Sequence, residues 1–448
     1  MLARDLERVE PGASRRKQRL RRPSAGLGRF RYARGTTVSR KPFANRISLD
    51  LTPSDFAARI AARRNSGLPL LDLSEANPTQ HGLAAGEALR AAFATLARDP
   101  ATARYEPDPR GDCSARAAIA TYHALRGASV APEHVVLTAG TSEGYAHLFR
   151  LLGDPGDAVH VPVPGYPLFE HLAALEGLAV LHYPLRAPRR GARWRIDLDA
   201  FAATLGPRSR AVVAIDPHNP TGSFVDPEDW ASLRSIARER GLAIVSDEVF
   251  ADYAHDAAPP AGALANAGDG PLHFVLSGAS KLLALPQLKV AWIVVAGPEA
   301  ARDEALARLE FIADAFLSVS PLLVRTLPQL FRERAAIQQA IRARVAANRA
   351  QLADLLTGSI AAPLPCEAGW SAIVRVSGER NEETLVTSLL DRGVLVQPGT
   401  LFDLDAHDPD GAPCAHLVVS LLLETGDFAR GVASLRELLA EPRSAASC

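Results

Sequence analysis

Leu276-Ser277-Gly278-Ala279-Ser280-Lys281, followed by Leu285-Pro286-Gln287-Leu288-Lys289, is the stretch from which the rest of the chain can be read. The apolar run Leu272 to Leu276 reads as a buried strand. It ends in a small-residue turn that delivers one lysine, and a second lysine follows eight residues later. Lysine is costly to bury unpaired and rarely closes a core strand. Beside hydroxyls and small residues, Lys281 reads as a nucleophile able to form a Schiff base with a carbonyl cofactor. A surface lysine in a strand-to-helix loop accounts for these letters equally well, so the surrounding chain has to decide.

The 448 residues allow two or three domains, or one large domain and a smaller one. A hydrophobic share of 47% with 22% charged residues fits a soluble globular protein of enzyme size. Net charge is zero, which gives no reason to expect nucleic acid or an acidic surface as partner. The four cysteines, Cys113, Cys366, Cys414 and Cys448, lack CxxC spacing and a nearby His pair. Neither a metal site nor a disulfide framework is indicated, and a reducing cytoplasm is the natural setting. No apolar run approaches the ~18 residues of a membrane span.

Residues 1–46 stand apart. They are Arg-rich, with acids only at Asp5, Glu7 and Glu10, and show no apolar periodicity. This composition predicts a disordered basic extension, with an Arg-rich transit peptide or an over-long start as alternatives. Order is expected from Ile47. Helices are expected over Pro53–Arg64, Ala84–Leu96 and Ser114–Leu125, with a short strand at Leu70–Leu73 and a rigid loop at Tyr105–Gly111.

From Val135 the pattern becomes short apolar runs alternating with helical stretches. The runs are Val135–Thr138, Ala158–Val161, Ala179–Tyr183, Ala211–Ile215, Leu242–Ser246, Leu272–Leu276 and Val290–Val295. They predict an α/β fold whose large domain holds a seven-stranded, mostly parallel sheet between helices. A long helical region follows, about Pro298–Leu355, broken near Ser318–Pro321. The remaining strands, Ser371–Val376, Val394–Val396 and Leu417–Leu421, with a helix over Asp427–Leu439, predict a smaller α+β domain built from both chain ends. In outline, 47–100 and 346–442 form the small domain, 101–297 the large one, and 298–345 the helical link.

Ligands of such sheets bind at the carboxyl ends of the strands, and the chemistry-bearing residues cluster there. Leu137-Thr138-Ala139-Gly140-Thr141-Ser142 links strand to helix and offers backbone N–H groups to an anion such as phosphate. An ordinary N-cap explains it too. Tyr166, in Pro164-Gly165-Tyr166-Pro167, suits stacking on a planar group, or is a packed loop residue. Asn219, in His218-Asn219-Pro220-Thr221-Gly222, offers an amide to a ring hydroxyl. Asp247, at the end of Leu242–Ser246, is placed to keep a pyridine nitrogen protonated. A turn and an N-cap are the plain alternatives.

Taken together, this order of elements resembles the class I/II aminotransferases among the fold-type I pyridoxal-phosphate enzymes. Asn219-Pro220-Thr221-Gly222, Asp247, Ser280-Lys281 and Lys289 carry the resemblance, which covers about residues 47–440. The resemblance implies pyridoxal 5'-phosphate as cofactor and transfer of an amino group between an α-amino acid and a 2-oxo acid by a ping-pong mechanism. It implies that Lys281 is the catalytic lysine and proton shuttle, and that Asp247 partners the ring nitrogen. Asn219 would bond the ring oxygen and Tyr166 would stack on the ring. Gly140, Thr141, Ser142, Lys289 and a serine, Ser277 or Ser280, would hold the phosphate. Tyr105 would reach the phosphate of a neighbouring subunit, which implies a homodimer with shared sites. Ala76 and Asn77 resemble the loop that closes over substrate. No metal, nucleic acid or membrane is implied.

Four positions depart from the family pattern. Lys289 stands where many relatives carry Arg, and supplies charge without a bidentate fork. Phe250 stands where a Tyr usually bonds the ring oxygen. Gly278 takes the place of a serine. Val418, in Val418-Val419-Ser420, takes the place of the arginine that binds the substrate carboxylate, while Arg375-Val376-Ser377 has similar letters before the turn Pro398-Gly399 rather than after it. Val418 keeps open a lyase or an amine-directed transaminase. A cofactor-binding regulator with a DNA-binding module is the alternative of a different class.

Overall fold

The computed structural model describes residues 44, 46, 54–83, 85–188, 193–256, 260, 262–266 and 270–441. Apart from Ala44 and Arg46, the basic extension and the expected start of order at Ile47 lie outside them. The first strand, β1 (Leu71–Asp72), follows a helix Asp55–Asn65 that Ser54 caps. The strands of the large sheet are β2 (Val135–Thr138), β3 (Ala158–Val163), β4 (Ala179–Arg186), β5 (Arg195–Ile196), β6 (Ser209–Ile215), β7 (Ala243–Asp247), β8 (His273–Gly278) and β9 (Ala291–Ala296). Their order across the sheet is β2-β9-β8-β7-β6-β3-β4-β5.

The seven expected runs are all strands. The eighth, β5, is a two-residue strand paired antiparallel to the end of β4, too short to leave a pattern. The central pairings β4–β3–β6–β7–β8 are parallel, and β9 runs antiparallel to both β2 and β8. Helices cover both faces, so the middle strands are apolar on both sides rather than alternating. Val212, Ala214, Ile244 and Val275 enter one core, against Tyr122 of the helix Cys113–Leu125 and Trp230 of the helix Pro227–Arg240. Val213, Ile215, Val245 and Leu276 enter the other, against Tyr145 and Phe149 of the helix Thr141–Leu152.

The helical region after β9 consists of Glu299–Asp314, two short helices and the long helix Arg334–Leu356. The strands that follow are β10 (Ala361–Pro363), β11 (Ser371–Ser377), β12 (Val394–Leu395), β13 (Gln397–Pro398) and β14 (Cys414–Ser420), and all but β12 form a second sheet. Its antiparallel order is β10-β11-β14-β13, with Ile373 and Gln397 flanking Val418. The run read as one strand, Val394–Val396, supplies only β12, and β13 starts just beyond it. β12 pairs in parallel with β1, and β13 joins β14. Arg59 of the first helix pairs with Asp391 at 2.6 Å, and Leu73 packs onto Gly431, where a Cβ would lie 2.6 Å from Leu73 Cδ1. Arg59, the strand β1 and Leu73 thus contact the C-terminal part of the chain. Among the described residues no helix is long and apolar enough to cross a membrane.

Candidate active site

β7 and β8 lie side by side in register, with Asp247 opposite Leu276. Asp247 at the end of β7 and Lys281, just past the end of β8, therefore reach the same edge of the sheet. Gly278 ends β8 because space is short there. A Cβ on it would lie 2.9 Å from the Cβ of Ala291 on β9, which accounts for a glycine where the family pattern has serine. The one-turn helix Ala279–Leu282 starts at once. Tyr253 OH donates to the Lys281 carbonyl at 2.8 Å and Gln338 Nε2 to that of Leu282 at 3.1 Å, which fixes the backbone under the lysine.

Lys281 Nζ lies 5.3 Å from the ring centre of Trp370 and 5.6 Å from that of Phe250. Burial lowers its pKa from the ordinary lysine value, with Glu75 and Asp247 opposing. Desolvation disfavours the ammonium and so raises the share of neutral amine. Asp247 is only 8% exposed, and burial pushes its pKa up to about 6. The Val249 N–H, at 3.1 Å from Oδ1, and the Tyr145 hydroxyl, at 2.9 Å from Oδ2, act the other way. Tyr145 is itself held well above its usual pKa by burial and by Asp247, so it stays a donor.

The helix Thr141–Leu152 begins after Gly140 at the carboxyl end of β2. The first N–H groups of a helix have no partner within it, and Thr141 and Ser142 carry two of them. A Cβ on Gly140 would lie 3.4 Å from Lys289 Nζ, so the second lysine reaches back to this loop. Lys289 follows the tight turn Pro286–Leu288 in a left-handed conformation, φ 53°. Glu143 accepts from the Ala139 N–H at 2.6 Å and from Ser318 Oγ at 2.8 Å, which braces the loop. Ser277 is fully buried and its Oγ has no hydrogen-bond partner, whereas Ser280 is half-buried.

Asn219 Oδ1 accepts from Ser371 Oγ at 3.3 Å, which leaves the amide N–H groups as its free end. Gly222 closes that turn at φ 66°, and a Cβ there would meet Cys366 Sγ at 2.2 Å and the Ala368 oxygen at 2.4 Å. Only glycine fits, because the Gly222 carbonyl also accepts from Glu367 and Ala368 N–H. This contact holds the loop before Trp370 against the Asn219 turn. Tyr166 is 39% exposed beside Gly165, whose N–H donates to the Phe402 carbonyl at 2.9 Å. Asn77 uses its Oδ1 to cap a short turn, accepting from Thr79 N–H at 3.1 Å, and its N–H is taken by Glu75. Ala76 is half-buried beside it. Tyr105 is 77% exposed.

Val418 is 2% exposed in an apolar cluster with Trp194, Ile373, Phe402 and Leu404. Arg375 faces His416 across the ladder, and its charge is felt at Asp408 and Cys414. Sequence reading missed Tyr145, Trp370 and Glu75. Tyr145 was within reach of it: four residues after Thr141 lies one turn along the same helix face. Trp370 and Glu75 come from distant segments and left no local pattern.

Residues 69–411 match the family described as Aminotransferase class I and II. The chain is 30% identical over 248 residues to glutamate-pyruvate aminotransferase AlaA of Escherichia coli (strain K12), a match covering 55% of this chain and 60% of that one. It is 33% identical over 276 residues to capreomycidine synthase of Streptomyces vinaceus, covering 60% and 68% respectively. The alanine aminotransferase of Pyrococcus furiosus shares the fold, with a TM-score of 0.77 at 18% identity over 86% of this chain and 96% of that one. With its matched segment and its sheet in hand, the chain belongs to the class I and II aminotransferase family.

Proposed function

We propose that this chain is a pyridoxal-phosphate-dependent aminotransferase that moves an amino group between an α-amino acid and a 2-oxo acid in two half-reactions. The observation that carries the reading is Lys281 Nζ held between Phe250 and Trp370 in a site it shares with the buried carboxylate of Asp247. The residues also fit the cofactor. The orphaned Ser277 hydroxyl and the Gly140 cradle under Lys289 suit a phosphate. The doubly bonded Asp247 suits a ring N–H.

Bound pyridoxal phosphate supplies an aldehyde carbon that takes up the amino group and a cationic ring that draws electrons from the substrate Cα. Lys281 is the residue that would hold that aldehyde, and its Nζ would serve as the base for the proton at Cα. Its lowered pKa keeps it able to accept that proton. Phe250 and Trp370 exclude water from Nζ. Asp247 holds the proton on the ring nitrogen, and Tyr145 holds Asp247. The N–H groups of Thr141 and Ser142, with Lys289 and Ser277, bind phosphate, Ser280 being the other candidate serine. Asn219 donates to the ring oxygen and Tyr166 stacks on the ring. Ala76 and Asn77 line the substrate side.

Val418 bears on the substrate. A buried carboxylate without a cation or several N–H donors costs several kcal/mol. The apolar cluster around Val418 offers none, so another group takes the carboxylate and the donor is a small or medium neutral amino acid such as alanine. The same apolar cluster, with no cation for a carboxylate, favours a second reading, a lyase or an amine-directed enzyme. Incubating the protein with alanine and 2-oxoglutarate is expected to yield glutamate. With serine in place of alanine, pyruvate and ammonia without glutamate, formed by loss of the β-hydroxyl as water and hydrolysis of the resulting enamine, would mean a lyase. Alanine is expected to exceed ethylamine in kcat/KM by at least about a hundredfold, or about 2.7 kcal/mol. Equal values would mean that no carboxylate site exists.

The exposed Tyr105 supports a homodimer in which this loop enters the partner's site. Sedimentation is expected to give a dimer, and Tyr105→Ala to weaken cofactor retention. An active monomer overturns it. A cytoplasmic location goes with the unpaired Cys113, Cys366 and Cys414, and cell fractionation tests it.

A further inference from the structure

Gln338 is a polar side chain at a core position. It lies on the buried face of the long helix Arg334–Leu356, in line with Ile341 and Val345, and is 3% exposed. Burying an amide is costly unless its groups are paired. Here both ends are. Nε2 donates to Asp252 Oδ2 at 2.6 Å and to the Leu282 carbonyl at 3.1 Å. Oε1 accepts from the Arg342 guanidinium at 3.3 Å. A reversed amide would set oxygen against oxygen and NH2 against a cation, so one orientation is fixed. Both acceptors bear on the lysine. The helix Ala279–Leu282 that carries Lys281 has four residues, too few to hold itself. The last carbonyls of a helix have no partner within it. Here the Lys281 carbonyl accepts from Tyr253 OH and that of Leu282 from Gln338. Asp252 stands on the segment that leaves β7 through Asp247. Its Oδ1 accepts from Tyr122 OH at 3.1 Å, and its carbonyl accepts from Arg342 at 2.6 Å. One amide, supplied by an element outside the large sheet, therefore joins the segment after Asp247 to the turn that presents Lys281.

We infer that Gln338 is a positioning residue for Lys281: it sets where Nζ stands for proton transfer at the substrate Cα. The inference rests on the function proposed above. Gln338 acts through the Leu282 backbone and Asp252 rather than on the reacting atoms. Nζ ends a long, flexible side chain, so the backbone from which that chain starts decides its reach. A displacement of about 1 Å in a catalytic group costs about a hundredfold in rate. Without Gln338 the lysine turn keeps its bond to Tyr253 and loses the second one, which leaves it free to pivot about the first. Cofactor and substrate contacts on the other elements stay in place, so the loss falls on the proton transfer and not on binding.

The test uses the full-length protein with bound pyridoxal phosphate, alanine as donor and 2-oxoglutarate as acceptor. Gln338→Met keeps length and apolar bulk and removes all three hydrogen bonds. Gln338→Asn keeps the amide but stops one methylene short. In Gln338→Met, kcat is expected to fall about a hundredfold while the KM for alanine and the Kd for cofactor stay within about twofold. Gln338→Asn is expected to show a smaller loss with the same split. A second measurement separates positioning from general loosening. In Lys281→Ala an added primary amine, methylamine, supplies the base. Adding Gln338→Met to that variant is expected to leave the methylamine-dependent rate unchanged, because the lysine whose place Gln338 sets is gone. A methylamine-dependent rate that falls again about a hundredfold would mean that Gln338 supports the site at large, and overturns the inference. So do single variants with the kcat of an active wild type, or a loss that appears in KM alone. If Gln338→Met does not fold, Gln338→Asn carries both measurements. A wild type that forms no glutamate overturns the parent reading and this inference with it.

Discussion

Lys281→Ala is expected to abolish turnover, lowering kcat by at least about 10,000-fold, while the protein stays folded. The loss combines two roles of one atom. In the proposed mechanism Nζ would hold the cofactor aldehyde and would move the proton at the substrate Cα. Nothing near it can take over. Its neighbours are the rings of Phe250 and Trp370, and the nearest charges felt at Nζ are the carboxylates Glu75 and Asp247. Lys289 is the other cation of the site, but it reaches toward Gly140 and so toward phosphate.

The cost to folding should be small, because burial already disfavours the charge on Lys281. An unfolding midpoint within a few degrees of wild type is expected for the cofactor-free proteins. The visible band of the lysine-bound cofactor should be absent, and a small primary amine added to the variant should return part of the rate, since it restores a base without restoring the tether. Lys289→Ala provides the contrast. It should weaken cofactor affinity by about tenfold and leave kcat at saturating cofactor nearly unchanged. A Lys281→Ala protein with full turnover would end the proposed mechanism.

The strands of the large sheet and the position of Lys281 at the end of one were legible in the sequence because both obey short-range rules. Strands covered on both faces read as unbroken apolar runs, and a polar residue that closes such a run falls at a carboxyl end. Lys281 and Asp247 were found in that way, and the ladder between Asp247 and Leu276 brings them together. Ser277 and Ser280 could not be separated by letters. The distinction is burial: the first hydroxyl is enclosed without a partner, while the second is half-buried. Trp370 was invisible for a different reason. Its place is set by the Gly222 turn and by Tyr253, and both contacts join segments far apart in the chain. The loss of the arginine at Val418 was legible, but the apolar cluster around it was not, because Trp194 comes from a segment far in sequence from Phe402 and Leu404.

Asp247→Asn is expected to lower kcat by about a thousandfold and to make the cofactor-free protein more stable above pH 6. The two effects have one origin. Burial raises the folded-state pKa of Asp247 to about 6, above the ordinary value of 3.8 that the unfolded chain retains. Between these values the folded protein binds the proton and the unfolded chain does not. The contribution of Asp247 to stability is therefore greatest below about pH 4, declines as pH rises through about 6, and stays lower beyond. The difference of roughly two units corresponds to about 3 kcal/mol, an upper figure that relaxation of the site reduces. Asparagine carries no charge at any pH. Its Oδ1 can still accept from the Val249 N–H, and its NH2 can donate to the Tyr145 oxygen, as the protonated carboxyl does, so the unfolding free energies of variant and wild type should agree near pH 4 and separate above pH 6, the variant being the more stable. Bound cofactor should narrow the gap, because a protonated ring nitrogen compensates the carboxylate that the bare protein holds at a cost. The variant cannot keep that proton by charge, and the electron demand at Cα goes unmet. Unfolding measured at pH 4 and pH 8, with and without cofactor, checks each step. A variant equal to wild type in stability at pH 8 without cofactor would mean that Asp247 is well solvated in the open site. Unchanged kcat would mean that it does not face the ring nitrogen.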